Sequence, residues 1–112
     1  MLDDQVTILI PTSPIPCHPD TRLMDACVDA LRGYFPTARL IIMADGVRPQ
    51  MEHRRAKYDE YVASIRAKAF AGEYGPSTTV RKFHEPSQQA TITRETLREV
   101  DTPLIFFCEH DA

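Results

Sequence analysis

Val6-Thr7-Ile8-Leu9-Ile10-Pro11 is the run whose reading decides the architecture. It is β-branched, carries no charge and is nearly continuous in apolarity. A strand with one wet face alternates apolar and polar residues. Continuous apolarity suits a strand covered on both faces, as in a parallel sheet sandwiched between helices. Pro11, without an N–H, is expected to stop the run, and four prolines from Pro11 to Pro19 mark a loop after it.

Working outward, similar runs recur. Ala38 to Ala44 carries Leu40-Ile41-Ile42-Met43 and stops at Asp45-Gly46, a turn signal. Thr78 to Phe83 is a weaker strand, and Leu104-Ile105-Phe106-Phe107-Cys108 is the most apolar. Segments of helical period separate them. Asp20 or Thr21 can cap a first helix with Leu23, Cys27, Leu31 and Tyr34 inward, closed by Gly33 and Pro36. A second, from about Gln50 to Phe70, puts Tyr58, Val62, Ile65 and Ala69 on one stripe. His53, Arg54, Arg55, Lys57 and Arg66 fall on its other face. A third, from about Thr91 to Val100, turns Ile92, Leu97 and Val100 inward before Asp101-Thr102-Pro103 breaks it.

The order is βαβαβαβ across residues 1–112, one domain without repeats. It calls for an α/β fold, a doubly wound and mostly parallel sheet with helices on both faces. The strongly apolar first and last strands are expected as the central pair, and the third at an edge. Ligands in such sheets bind at the carboxyl ends of the strands, where strand order reverses.

Composition narrows the function. With 43% hydrophobic and 26% charged residues the chain is of ordinary globular type. A net charge of −3 argues against a general nucleic-acid binder, which needs a basic surplus. No apolar run approaches the roughly twenty residues that span a bilayer, and Met1-Leu2-Asp3-Asp4 is acidic where a signal peptide is basic. Cytoplasmic residence is the expectation. Cys17, Cys27 and Cys108 lack C-x-x-C spacing and cannot all pair in one chain, so reduced thiols are expected, with Cys27 and Cys108 as small core residues.

The strand ends carry Pro11-Thr12-Ser13, Asp45-Gly46, His84-Glu85 and Glu109-His110-Asp111, so acidic groups gather along one sheet edge. Glu109 and Asp111 project to the same side of an extended backbone. Two converging carboxylates repel unless a cation lies between them, and hard oxygen ligands favour Mg²⁺ or Mn²⁺ held with substrate phosphates. A solvated acidic turn after a buried strand is the competing account of the same spacing.

These residues also carry a resemblance. Val6 to Thr12 resembles the opening strand of family 2-type glycosyltransferases of the GT-A fold, which is Rossmann-like. Ile42-Met43-Ala44-Asp45-Gly46 resembles their second strand, which ends in an acidic residue that contacts the nucleoside, and Leu104 to Asp111 the strand leading into their D-x-D-type motif. The resemblance implies strand order 3-2-1-4 and a nucleoside-diphosphate sugar at this edge, its diphosphate on Mn²⁺ or Mg²⁺. It implies that Pro11, Thr12 and Ser13 line the nucleotide pocket and that Asp45 faces base or ribose. Asp111 becomes the principal metal ligand, with Glu109 beside it where the family more often has Asp. Gln89, ahead of the third helix, approaches the nucleotide, and Arg94 one turn on reaches a phosphate. The acceptor is unknown, and any membrane proximity would come through it. The family's acceptor-binding half and catalytic base follow the metal motif, whereas this chain stops one residue after Asp111. The expectation is therefore the nucleotide-sugar-binding half of a transferase, inactive by itself, with its fourth strand at an open edge.

Other readings fit less well. A receiver domain of flavodoxin-like fold needs acidic residues after strand one, a dehydrogenase needs G-x-G-x-x-G there, and a nucleotidyltransferase needs a Gly-rich basic loop. The chain has Pro11-Thr12-Ser13. Cys17-His18 is a poor nucleophile and base pair, because adjacent side chains point apart. Tyr58 and Tyr61 beside the basic residues of the second helix suggest a nucleic-acid face, but Glu52, Asp59 and Glu60 interrupt it. A non-catalytic nucleotide-binding module remains the alternative.

Overall fold

A computed structural model describes residues 2–14, 19–85 and 89–108. After a short 3-10 turn the elements are β1 (Val6–Thr12), α1 (Arg22–Tyr34), β2 (Arg39–Ala44), a 3-10 turn (Pro49–Arg54) running into α2 (Arg55–Phe70), β3 (Thr78–Lys82), α3 (Gln89–Leu97) and β4 (Leu104–Phe107). The strands form one parallel sheet in the order β3-β2-β1-β4. This is the expected doubly wound α/β architecture.

Every residue of β1 is buried, as its unbroken apolarity requires. Val6, Ile8 and Ile10 join Leu40 and Ile42 on the face covered by α1 and α2. Leu9, Ile41 and Met43 point the other way, toward Ile92 of α3. Pro11 does not stop the strand, which continues to Thr12 with Pro11 opposite Met43 of β2. The carbonyl of Leu9 accepts the Cys108 N–H at 3.0 Å and so points toward β4. Pro11, two residues on, faces the same side and has no N–H to offer a ladder there.

Three helical faces depart from expectation. In α1 the buried stripe is Met24, Val28 and Leu31, while Leu23 is 47% and Tyr34 82% exposed. Apolar residues lie at 23, 24, 27, 28 and 31, so two overlapping stripes fit a helical period, and packing on the sheet selects the one rotated by a single residue. Tyr61 joins Tyr58, Val62 and Ile65 in the buried face of α2, and Ala69 is only partly buried. The α3 helix ends at Leu97, which is half-exposed, and Val100 packs partly buried on the second cluster after the helix has finished.

Of the two expectations for the fourth strand, the order 3-2-1-4 with an open edge holds and the apolar central pair is corrected. β1 and β2 hold the centre, and β4 lies at an edge with Leu104, Ile105, Phe106 and Phe107 each 41–48% exposed. Apolarity predicted burial on both faces, but among the described residues β4 pairs only with β1 and has little helix above it; Phe106 rests against Phe35 with ring centroids 5.6 Å apart.

At the opposite end from the strand tips, Arg32 ties α1 to the turn ahead of β3. Its Nε donates to the Tyr74 carbonyl (2.9 Å), Nη1 to the Phe35 and Ala38 carbonyls (3.0 and 2.7 Å), and Nη2 to the Pro76 carbonyl and the Thr78 hydroxyl (2.8 and 2.9 Å). All five N–H groups of the guanidinium are used. Gly75 makes the approach possible: its φ is +88°, and a Cβ there would meet Arg32 Nε at 2.6 Å. Among the described residues no helix is long and apolar enough to cross a membrane.

Candidate functional site

The carboxyl ends of β1 and β2 bring Thr12 and Asp45 side by side. The Asp45 N–H donates to the Thr12 carbonyl at 3.0 Å, carrying the ladder past the last paired residues, and the Phe83 N–H does the same to the Ala44 carbonyl at 2.8 Å. Both Thr12 and Asp45 are buried, at 3% and 8% exposure. One oxygen of the Asp45 carboxylate accepts the Gly46 N–H at 2.7 Å, which fixes the side chain over the strand end. A carboxylate so little exposed must be met by donors.

Two tyrosines of α2 support this pair from the helix-covered face. The Tyr58 hydroxyl donates to the Asp45 carbonyl at 2.7 Å and, at the longer 3.4 Å, to the Thr12 carbonyl. The Tyr61 hydroxyl and Thr12 Oγ1 share a hydrogen bond of 2.9 Å. The rings stack with centroids 6.0 Å apart. Burial first, then the neighbouring Tyr61 and the charges of Asp45 and Asp59, push the Tyr58 phenol far above its ordinary range. It therefore remains a donor throughout the physiological range. The sequence put Tyr58 on the inward stripe of this helix but not Tyr61, and the burial of both rings agrees with setting aside a nucleic-acid face there. Their spacing of three, in register with Val62 and Ile65, was the available signal: inward phenols need polar partners, and strand ends supply them.

The other expected site residues are less closely gathered. Pro11 is buried in β1 and Ser13 is exposed just beyond it. Arg94 is exposed on α3. Gln89 is the first residue of α3, and its side chain lies outside the described residues. Glu109 and Asp111, the expected metal ligands, also lie outside them, as do Cys17 and His18. Among the described residues no three His, Cys, Asp or Glu side chains come together as a cation site.

A cavity of about 650 Å³ opens elsewhere, between α1 and the turn after α2, lined by Asp25, Asp29, Arg32, Lys68, Glu73 and Tyr74 among others. Its main polar groups are committed to one another. Lys68 donates to Thr21 and Asp25 at 2.8 Å each, the Tyr74 hydroxyl donates to Asp25 at 2.6 Å, and Arg32 is saturated by its carbonyls. Burial works against ionisation of Asp25, but the hydrogen bonds from Lys68, Tyr74 and Thr21 prevail and hold its carboxyl below the usual carboxylate range. The cavity is a braced helix junction, and the sheet edge is the better candidate for a ligand site. The chain matches no family model, no curated protein and no solved structure.

Proposed function

We propose that the chain is the nucleotide-sugar-binding half of a divalent-metal-dependent glycosyltransferase, with the nucleoside-diphosphate sugar held along the carboxyl edge of the sheet. The observation that carries the reading is the buried Asp45 carboxylate beside Thr12 at the end of two adjacent parallel strands. A carboxylate accepts hydrogen bonds only, which suits ribose hydroxyls or base N–H groups. Strand order gives further support. β1, β2 and β3 run out to one side and β4 lies on the other, so order reverses between β1 and β4. Doubly wound sheets take their ligands in the crevice above that reversal.

In this reading Asp45 takes the nucleoside end, Thr12 and Ser13 form the floor of the nucleotide site, and Gln89 and Arg94 approach from α3. Glu109 and Asp111, which follow β4 in sequence, hold Mn²⁺ or Mg²⁺ against the diphosphate. The cation would stabilise the departing diphosphate as a Lewis acid. A non-catalytic nucleotide-binding module would use the same edge without transferring a sugar.

The test at the nucleoside end is Asp45→Asn, which keeps an acceptor oxygen for the Gly46 N–H and removes the charge. Titration of UDP and GDP with Mn²⁺ present should show affinity falling about tenfold, the loss expected for one charge-assisted hydrogen bond. Unchanged affinity would remove Asp45 from the site.

A further inference from the structure

Cys27 in the middle of α1 and Cys108 just past the end of β4 bring their sulfurs to 3.6 Å, van der Waals contact, across 81 residues of sequence. Both thiols are free and only half-buried, so a small reagent can reach them. Neighbouring contacts fix their placement. The Cys108 N–H is bonded to the Leu9 carbonyl at 3.0 Å, and Phe106, on the same face of the strand, rests on Phe35 just past the end of α1. Cys27 lies on the flank of α1, against the same core cluster as Cys108. Bonded sulfurs stand about 2.05 Å apart, so a shift of roughly 1.5 Å closes the gap, and an edge strand anchored on one side can supply it.

We propose that Cys27 and Cys108 are a reversible disulfide site that staples the exposed edge strand β4 to α1. The inference rests on this geometry and is independent of the nucleotide reading. The oxidant is a low-molecular-weight disulfide such as oxidised glutathione. One protein thiol loses its proton and attacks a glutathione sulfur; the S–S bond of the reagent breaks and one glutathione leaves. The second protein thiol then attacks the protein sulfur of the mixed disulfide and expels the other glutathione. The two protein sulfurs are oxidised, the reagent is reduced, and the two thiol protons end on the two glutathiones. The closed link joins positions 81 apart in a chain of 112 residues, and a crosslink restricts the unfolded state more the longer the loop it closes.

The experiment incubates the folded chain with oxidised glutathione and reads intact mass, a non-reduced peptide map and the thermal midpoint. The expected product has lost two hydrogens and joins the peptides carrying Cys27 and Cys108. Its midpoint lies higher by on the order of 10 °C, and dithiothreitol restores the starting value. The same treatment of Cys27→Ser should give no rise in midpoint. Free thiols throughout, stable glutathione adducts on both cysteines, a link through Cys17, or a midpoint rise that survives Cys27→Ser would each overturn the proposal.

Discussion

Replacing Arg32 by methionine should cost about 3 kcal/mol of stability. The side chain donates five hydrogen bonds, four to backbone carbonyls of Phe35, Ala38, Tyr74 and Pro76 and one to the Thr78 hydroxyl. A net contribution near 1 kcal/mol for each would give about 5 kcal/mol. The guanidinium is part-exposed, water can reach some of the abandoned carbonyls, and the Thr78 hydroxyl still donates within the cluster of Tyr74, Gly75 and Pro76 carbonyls. These reduce the figure to about 3 kcal/mol. Methionine keeps the length of the stem and its packing, so the loss is that of the hydrogen bonds. For a chain of 112 residues the midpoint should fall by about 12 °C. Urea titration followed by circular dichroism measures the free energy, and a lysine at the same position should recover less than half of the loss. A methionine variant within about 0.5 kcal/mol of the parent, with an unchanged denaturant slope, would refute the view that this arginine holds α1 to the turn before β3.

Two further outcomes follow from the same geometry. Asp25 has a lowered carboxyl pKa in the folded state, so its contribution is present above the unfolded value near pH 4 and is lost as pH falls through the folded value. Parent and Asp25→Asn should therefore converge in stability below about pH 4 and separate above it, and a constant difference from pH 7 to pH 3 would contradict this. The edge strand β4, with four half-exposed large apolar residues, should make the chain self-associate at high micromolar concentration. Lysine at Ile105 and Phe107 should suppress that association in sedimentation, whereas a monomeric parent would count against it.

The sheet was legible because its signals are local. The apolar runs at Val6–Ile10, Leu40–Met43 and Leu104–Phe107 announced strands, and the intervals between them are long enough only for helical crossovers. Which residues of a helix face inward was less legible, because Leu23 and Met24, or Cys27 and Val28, fit a helical period equally well until the helix is set on the sheet. The apolarity of β4 pointed to the centre of the sheet, yet composition cannot tell a strand its neighbours, and the strand lies at an edge. At the candidate site, Thr12 and Asp45 were found from the rule about strand ends. Tyr61 was left off the inward stripe and the partners of both tyrosines were not foreseen, because their hydrogen bonds to Thr12 and Asp45 join residues 13 to 49 positions apart, which no periodicity reveals. Arg32 was missed for the same reason: four of its five acceptors are backbone carbonyls, invisible in side-chain patterns.

The most direct test of the nucleotide reading is calorimetry of the chain with UDP and GDP, first with Mn²⁺ and then with a chelator. Glu109 and Asp111 can supply at most two or three ligand oxygens to a cation that takes about six, so diphosphate and water must supply the others. Metal and nucleotide should therefore bind together, each poorly without the other, and Asp111→Ala should abolish the dependence on Mn²⁺. Nucleotide affinity that is indifferent to both the chelator and Asp111→Ala would contradict the account.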